Sequence, residues 1–160
     1  MDDLKGMLLE ALKLKSLPRT GWLRAGIENP ESVAAHSWGV AWLCMVLCPK
    51  ELNKLKVLEI ALIHDLAEVR IGDITPYDGI DVPEKHKMES AAFVEMTEQL
   101  CNRQHLRDLW NEQSAEADFV KQMDKLDMAL QAQEYGGLEE FIESALQVLI
   151  NPVHRQLAKP

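Results

Sequence analysis

Apolar residues recur along this chain at helical spacing almost from end to end, and strict alternation is scarce. Leu4, Met7, Leu8, Ala11, Leu12 and Leu14 predict an amphipathic helix over 3–15 that ends before Pro18. Pro18, Gly21, Gly26 and Pro30 then break the period, so 16–31 reads as an irregular but well-packed connection. A second helix starts at Glu31 or Ser32, runs through His36 to about Leu47 and is closed by Pro49. Asn53 caps a third, whose last turns are expected to carry His64, Asp65 and Glu68. Gly72, Pro76 and Gly79 interrupt 70–82, a natural wall for a site at the end of a helix bearing ionisable groups. Pro83 suits the first turn of a helix over 84–101, and helices at 103–112, 115–135 and 138–150 follow. Gly136-Gly137 ends the penultimate one, and the tail after Pro152 is expected to be loosely attached. The pattern predicts an all-α, single-domain bundle of about six to eight helices over 1–160, with its core at about 10–150 and a tail over 152–160.

Composition narrows the possible partners. The 160 residues suffice for one domain with a substantial core, and 47% hydrophobic content argues against disorder. A net charge of −9 argues against a nucleic-acid polymer or an anionic membrane surface, while leaving room for a local basic pocket for one phosphate. Cys44, Cys48 and Cys101 form no CxxC pair and read as free thiols. The opening Met-Asp-Asp-Leu-Lys-Gly lacks the features of a signal peptide, and no apolar run reaches the ~20 residues of a membrane span. A cytoplasmic protein is expected.

His64-Asp65 is where packing alone ceases to explain the chain, because two ionisable side chains interrupt an apolar run. On a helix each residue turns about 100°, so Glu68 would project roughly 40° from His64 and about 60° from Asp65. Such a patch can bind a divalent metal and keep one carboxylate for proton transfer; it also suits a His–Asp hydrogen bond that fixes a helix. Asp124 lies beside the stripe Val120, Met123, Leu126 and Leu130, where an unpaired charge is costly and a cation is the simplest remedy. Asp127 could serve instead, and spacing does not choose between them. His36 sits among apolar neighbours, where a lone histidine is more often a satisfied core residue than a ligand.

Taken in order, these residues make the pattern H…HD…D. The chain resembles the HD-domain metal-dependent phosphohydrolases, an all-helical family. Glu31-Ser32-Val33-Ala34-Ala35-His36-Ser37, the run from His64 to Asp73, and Val120 to Lys125 look like its 5′-deoxynucleotidase subgroup, as does Pro18-Arg19-Thr20-Gly21-Trp22. The resemblance implies that His36, His64, Asp65 and Asp124 bind one divalent ion. That nitrogen and oxygen set suits Mn²⁺, Co²⁺, Fe²⁺, Ni²⁺ or Zn²⁺ better than Mg²⁺. The resemblance also assigns Glu68 and Asp73 to the nucleophile and substrate side, Glu68 orienting or deprotonating the attacking water and Asp73 assisting the water or the leaving 5′-oxygen.

Trp22 is the candidate for stacking on the sugar or base, with a core tryptophan as the equal alternative. Bacterial members place an Arg directly before the Trp; Gly21 stands there, so Arg19 or Arg24 is expected to meet the phosphate. The implied activity is hydrolysis of deoxyribonucleoside 5′-monophosphates to deoxyribonucleosides and phosphate. The alternatives are another small phosphoester, such as a cyclic nucleotide or guanosine tetraphosphate, or a non-catalytic metal-containing dimerisation module. A homodimer is expected by resemblance; Leu138, Phe141, Ile142, Leu146 and Leu149 would suit its surface as well as a core.

Overall fold

The computed structural model describes residues 2–160. Regular structure among them is helical: α1 (Asp2–Ala11), α2 (Thr20–Arg24), α3 (Val33–Leu47), α4 (Lys54–Ile63), α5 (Glu68–Ile71), α6 (Val82–Thr97), α7 (Arg103–Trp110), α8 (Ala115–Glu134), α9 (Glu139–Val148) and α10 (Pro152–Leu157). Short 3₁₀ turns cover Leu12–Lys15 and Pro76–Asp78. No helix among the described residues is long and apolar enough to cross a membrane.

Local chemistry explains most of the starts. Ser32 Oγ accepts the Ala35 N–H at 3.1 Å at the head of α3, and Asn53 Oδ1 accepts that of Lys56 at 3.2 Å at the head of α4. Asp81 does the same for Glu84 at 2.8 Å, with Pro83 in the first turn of α6. Beyond α8, Gly136 and Gly137 take φ of 107° and 78°, where a Cβ would be strained, and Gly137 N–H returns to the Ala132 carbonyl at 2.9 Å.

Three expectations need correction. The helical period over 3–15 divides into α1 and a 3₁₀ turn, and Leu4, Leu8, Leu9 and Leu12 are exposed while Leu14 is buried. The third helix stops at Ile63, leaving His64–Ala67 in a turn before α5. The tail is not loose: Asn151 caps α10 through the N–H groups of Val153 and His154, and His154 and Ala158 are buried.

The chain divides into two compact units, one of residues up to Ala35 with Leu62–Glu112, the other of His36–Ala61 with Gln113–Pro160. In the first, Ala67, Ala92 and Phe93 form the core with Ile63, Leu66, Ile71, Leu106 and Trp110. Phe93 and Trp110 stack with centroids 4.3 Å apart, and Trp110 Nε1–H donates to Ser90 Oγ at 3.2 Å. Arg70 clamps α5 from outside, meeting Glu10 through Nε at 2.7 Å and Glu95 through Nη1 at 2.8 Å.

In the second unit α8 packs along α9, burying Met123, Leu126, Ala129 and Ala132 with Ile142, Ala145 and Leu149. Gln122 ties the end of α9, donating to the Val148 carbonyl at 3.1 Å and accepting from the Ile150 N–H at 2.8 Å. Leu149 and Ile142 therefore serve the core. Burial, then the neighbouring Cys48, pushes the Cys44 thiol up to about 12, consistent with an inert structural cysteine.

Candidate functional site

Each unit carries part of the expected constellation. In the second, His36 lies one turn into α3 with no exposed surface. Its Nδ1 stands 2.7 Å from Asp127 Oδ2. Two lone pairs would repel at that distance, so the proton belongs on Nδ1, which donates to the carboxylate. The other ring nitrogen, Nε2, faces Asp124 Oδ1 at 3.2 Å. Asp124 and Asp127 are three residues apart on α8 and so share one helical face. Lys125 Nζ meets the second Asp124 oxygen at 3.1 Å. The ambiguity between the two aspartates thus resolves into two positions, one on each side of the imidazole.

In the first unit, His64 Nε2 and Asp65 Oδ2 are 3.2 Å apart. Neighbouring ligands on a six-coordinate ion with bonds of about 2.1 Å lie about 3.0 Å from each other, so both N···O pairs fit ligands of one ion class. The turn carrying His64 uses short bonds: Leu66 N–H to the Ile63 carbonyl at 3.0 Å and Glu68 N–H to the Asp65 carbonyl at 3.1 Å. Residues three apart eclipse in such a turn, which sets Glu68 with Asp65 rather than closest to His64.

Glu68 is the buried acid of this group, only 2% exposed, and its Oε2 has no hydrogen-bond partner among the described residues. Burial first, then the charges of Asp65 and Asp73, pushes its carboxyl up to about 9, against the pull of Arg19 and Lys85. A buried carboxyl with an open oxygen beside two more carboxylates is a setting that a cation would relieve.

Arg19 joins the group: Nη1 lies 3.6 Å from Asp65 Oδ2 and 3.4 Å from Asp73 Oδ1. Asp73 Oδ2 also accepts the Thr20 N–H at 2.6 Å, holding the start of α2. Gly72, with φ 81° and ψ 167°, sets the reversal that delivers Asp73 after α5.

Arg24 does not join the group. Nη1 donates to Thr75 Oγ1 at 2.6 Å, Nη2 meets Asp78 Oδ1 at 2.5 Å, and the guanidinium lies over Tyr77. Trp22 is likewise reassigned. At 2% exposure it has no open ring face for a base, and Nε1–H donates to Glu31 Oε1 at 3.0 Å, pinning the 16–31 connection. Lys85 was not anticipated: Nζ donates to the Ile74 carbonyl at 2.9 Å and lies 3.4 Å from Glu89 Oε1 and 4.0 Å from Glu68 Oε1. Its one sequence signal was the Lys85–Glu89 spacing, which ordinary surface pairs share.

The first unit thus offers an imidazole and a carboxylate at metal-ligand spacing, a buried acid able to hold a proton, and a guanidinium for an anion; the second offers an imidazole and a carboxylate at the same spacing. A phosphoester hydrolase needs these chemical parts. A family model described as HD domain matches residues 11–159. The chain is 44% identical over 133 residues to a human protein named 5′-deoxynucleotidase HDDC2, covering 79% of this chain and 65% of that one. The mouse protein of the same name is 40% identical over 91% of this chain and 79% of its own length. A solved Pyrococcus furiosus protein superposes with a TM-score of 0.74 at 35% identity, covering 88% of this chain and 89% of that one. The chain belongs to the HD-domain family.

Proposed function

We propose that this chain is a metal-dependent phosphomonoesterase that converts deoxyribonucleoside 5′-monophosphates to deoxyribonucleosides and phosphate, acting as one HD domain over 1–160 in the cytoplasm. The observation that carries the reading is the His64–Asp65 pair at metal-ligand spacing with the buried Glu68 carboxyl beside it. The names of the human and mouse relatives supply the substrate class.

His36, His64, Asp65 and Asp124 are the residues that would hold one divalent ion of the Mn²⁺, Co²⁺, Fe²⁺, Ni²⁺ or Zn²⁺ class. When bound, such an ion supplies Lewis-acid polarisation of the phosphoryl group and acidifies a water molecule. Glu68 receives the proton of the attacking water; a cation nearby favours its ionised form and opposes the effect of burial. Arg19, held by Asp73 at 3.4 Å, presents its remaining N–H groups to the phosphate. Asp73 orients Arg19 and the head of α2, since Thr20 and Arg19 occupy its two oxygens.

The expected homodimer has a better surface than the later helices. Trp38, Trp42, Met45 and Val46 stand exposed on α3, the two indoles stacked at 6.4 Å, and such an apolar face suits burial against a second copy. Trp42→Glu should then convert a dimer to a monomer in analytical ultracentrifugation.

The activity test is phosphate release from matched ribo- and deoxyribonucleoside monophosphates with Mn²⁺ or Co²⁺ in excess. The deoxyribonucleotides should show the higher kcat/KM, with modest differences among bases. Equal values would remove deoxyribose selection. Hydrolysis of neither set would overturn the reading in favour of another phosphoester or a non-catalytic module.

A further inference from the structure

Gly39 occupies the interior of α3 in ordinary helical conformation, where glycine is among the least favourable residues. It is not there for a left-handed backbone. A Cβ at this position would stand 2.1 Å from Asp127 Oδ1, 2.9 Å from its Cγ and 3.2 Å from Oδ2. The Asp127 carboxylate therefore lies directly against the Gly39 backbone, in space that any other residue would fill. From that seat its Oδ2 reaches His36 Nδ1 at 2.7 Å. His36 and Gly39 are three residues apart, so the imidazole and the bare stretch of backbone lie on the same face of α3.

We propose that Gly39 and Asp127 form a positioning pair for His36: the missing side chain seats the carboxylate, and the carboxylate keeps the ring proton on Nδ1. Nε2 is thereby left with its lone pair aimed to the Asp124 side, where Oδ1 is 3.2 Å away. A histidine ligand held through its other nitrogen by a carboxylate is fixed in ring angle and tautomer and is the more basic donor. Asp127 acts through His36 and is not itself a ligand. The inference rests on the reading of His36 as a metal ligand.

The test uses the full chain, the Mn²⁺ dissociation constant, and ¹⁵N-resolved histidine spectra of the metal-free protein. In the wild type, His36 Nδ1 should carry a proton protected from exchange, and Asp127→Ala should lose that signal. Mn²⁺ affinity should fall about 10–100-fold in Asp127→Ala, the usual consequence of removing the partner of a ligating histidine. Gly39→Ala should weaken Mn²⁺ binding comparably in the wild-type background. In the Asp127→Ala background it should cost nothing further, because the added methyl no longer meets a carboxylate.

A wild-type Nδ1 without a proton overturns the proposal, a measurement that needs no variant to fold. Unchanged Mn²⁺ affinity in Asp127→Ala does so as well, as does an equal Gly39→Ala loss in both backgrounds, which would mean simple helix crowding. A wild type that binds neither Mn²⁺ nor Co²⁺, Fe²⁺, Ni²⁺ or Zn²⁺ defeats the metal reading itself and the positioning role with it. Turnover enters none of these measurements, so loss of the nucleotidase assignment alone leaves the pair standing.

Discussion

His36 and His64 are the two imidazoles of the family motif, and the chain holds them in opposite ways. His36 is wholly buried, with one α8 carboxylate beside each ring nitrogen. His64 keeps 16% of its side chain exposed and sits in the turn where α4 has already ended. A helix face sets the place of one imidazole. The i→i+3 bonds of a turn set the other, and Glu68, Asp73 and Arg19 gather around that turn. The division suggests that holding the ion and doing the chemistry fall to different residues.

The largest effects should separate these two tasks. Glu68→Gln should retain Mn²⁺ while turnover falls by ~10²–10⁴-fold, the usual contribution of a positioned acid–base group. Asp124→Ala should show the reverse order of injury, losing Mn²⁺ affinity and the metal-dependent gain in melting temperature together. Metal titration paired with single-turnover phosphate release checks both. A Glu68→Gln protein that has lost its metal would break the comparison, because Glu68 itself would then be holding the ion.

Glu68 also sets a pH dependence in metal-free protein. Its ordinary value is 4.5 and burial raises it to about 9 in the fold, so the unfolded chain releases this proton first. The contribution is fully present below about pH 4.5 and is lost as pH rises toward about 9. Urea unfolding of chelator-treated protein should show falling stability between about pH 5 and about pH 8, with a flatter profile in Glu68→Gln. A profile as steep in the variant would assign the slope to other groups.

What could be read in the sequence follows from how local each cause is. The heads of α3 and α4 were legible because Ser32 and Asn53 act on N–H groups three residues away, and that of α6 because Pro83 marks its first turn. The end of α4 was not, since no Gly, Pro or capping residue marks Ile63 and the apolar period runs on through it. α10 carried a readable signal in Asn151-Pro152 that was outweighed by its position near the terminus. The ligand candidates were legible as residue types. The separate places of Asp124 and Asp127 were not, because only the His36 ring distinguishes two aspartates on one helix face. Trp22 could be identified but not placed, as an indole serves a core and a substrate equally well.

Arginine substitutions sharpen the comparison at the next level. Arg19→Ala should lower kcat/KM by about 10–100-fold, the scale of a charged hydrogen bond to phosphate worth about 1.5–3 kcal/mol. Arg24→Ala removes contacts to Thr75 and Asp78 in a half-exposed loop and should change kcat/KM by no more than about fivefold. Equal losses would show that the Thr75–Asp78 loop belongs to the phosphate side after all.

The smallest effect concerns Trp22. With its ring buried and its N–H on Glu31, Trp22→Phe removes one hydrogen bond and part of a well-packed side chain. The cost should be about 1–3 kcal/mol, or a few degrees of melting temperature for each kcal/mol in a chain of this size. Base preference should not move, because a ring that never faces the substrate cannot rank the bases. If KM instead rises for every nucleotide while the melting temperature stays level, the indole must turn out of the 16–31 connection to meet substrate. The substrate side would then extend to α2 as well.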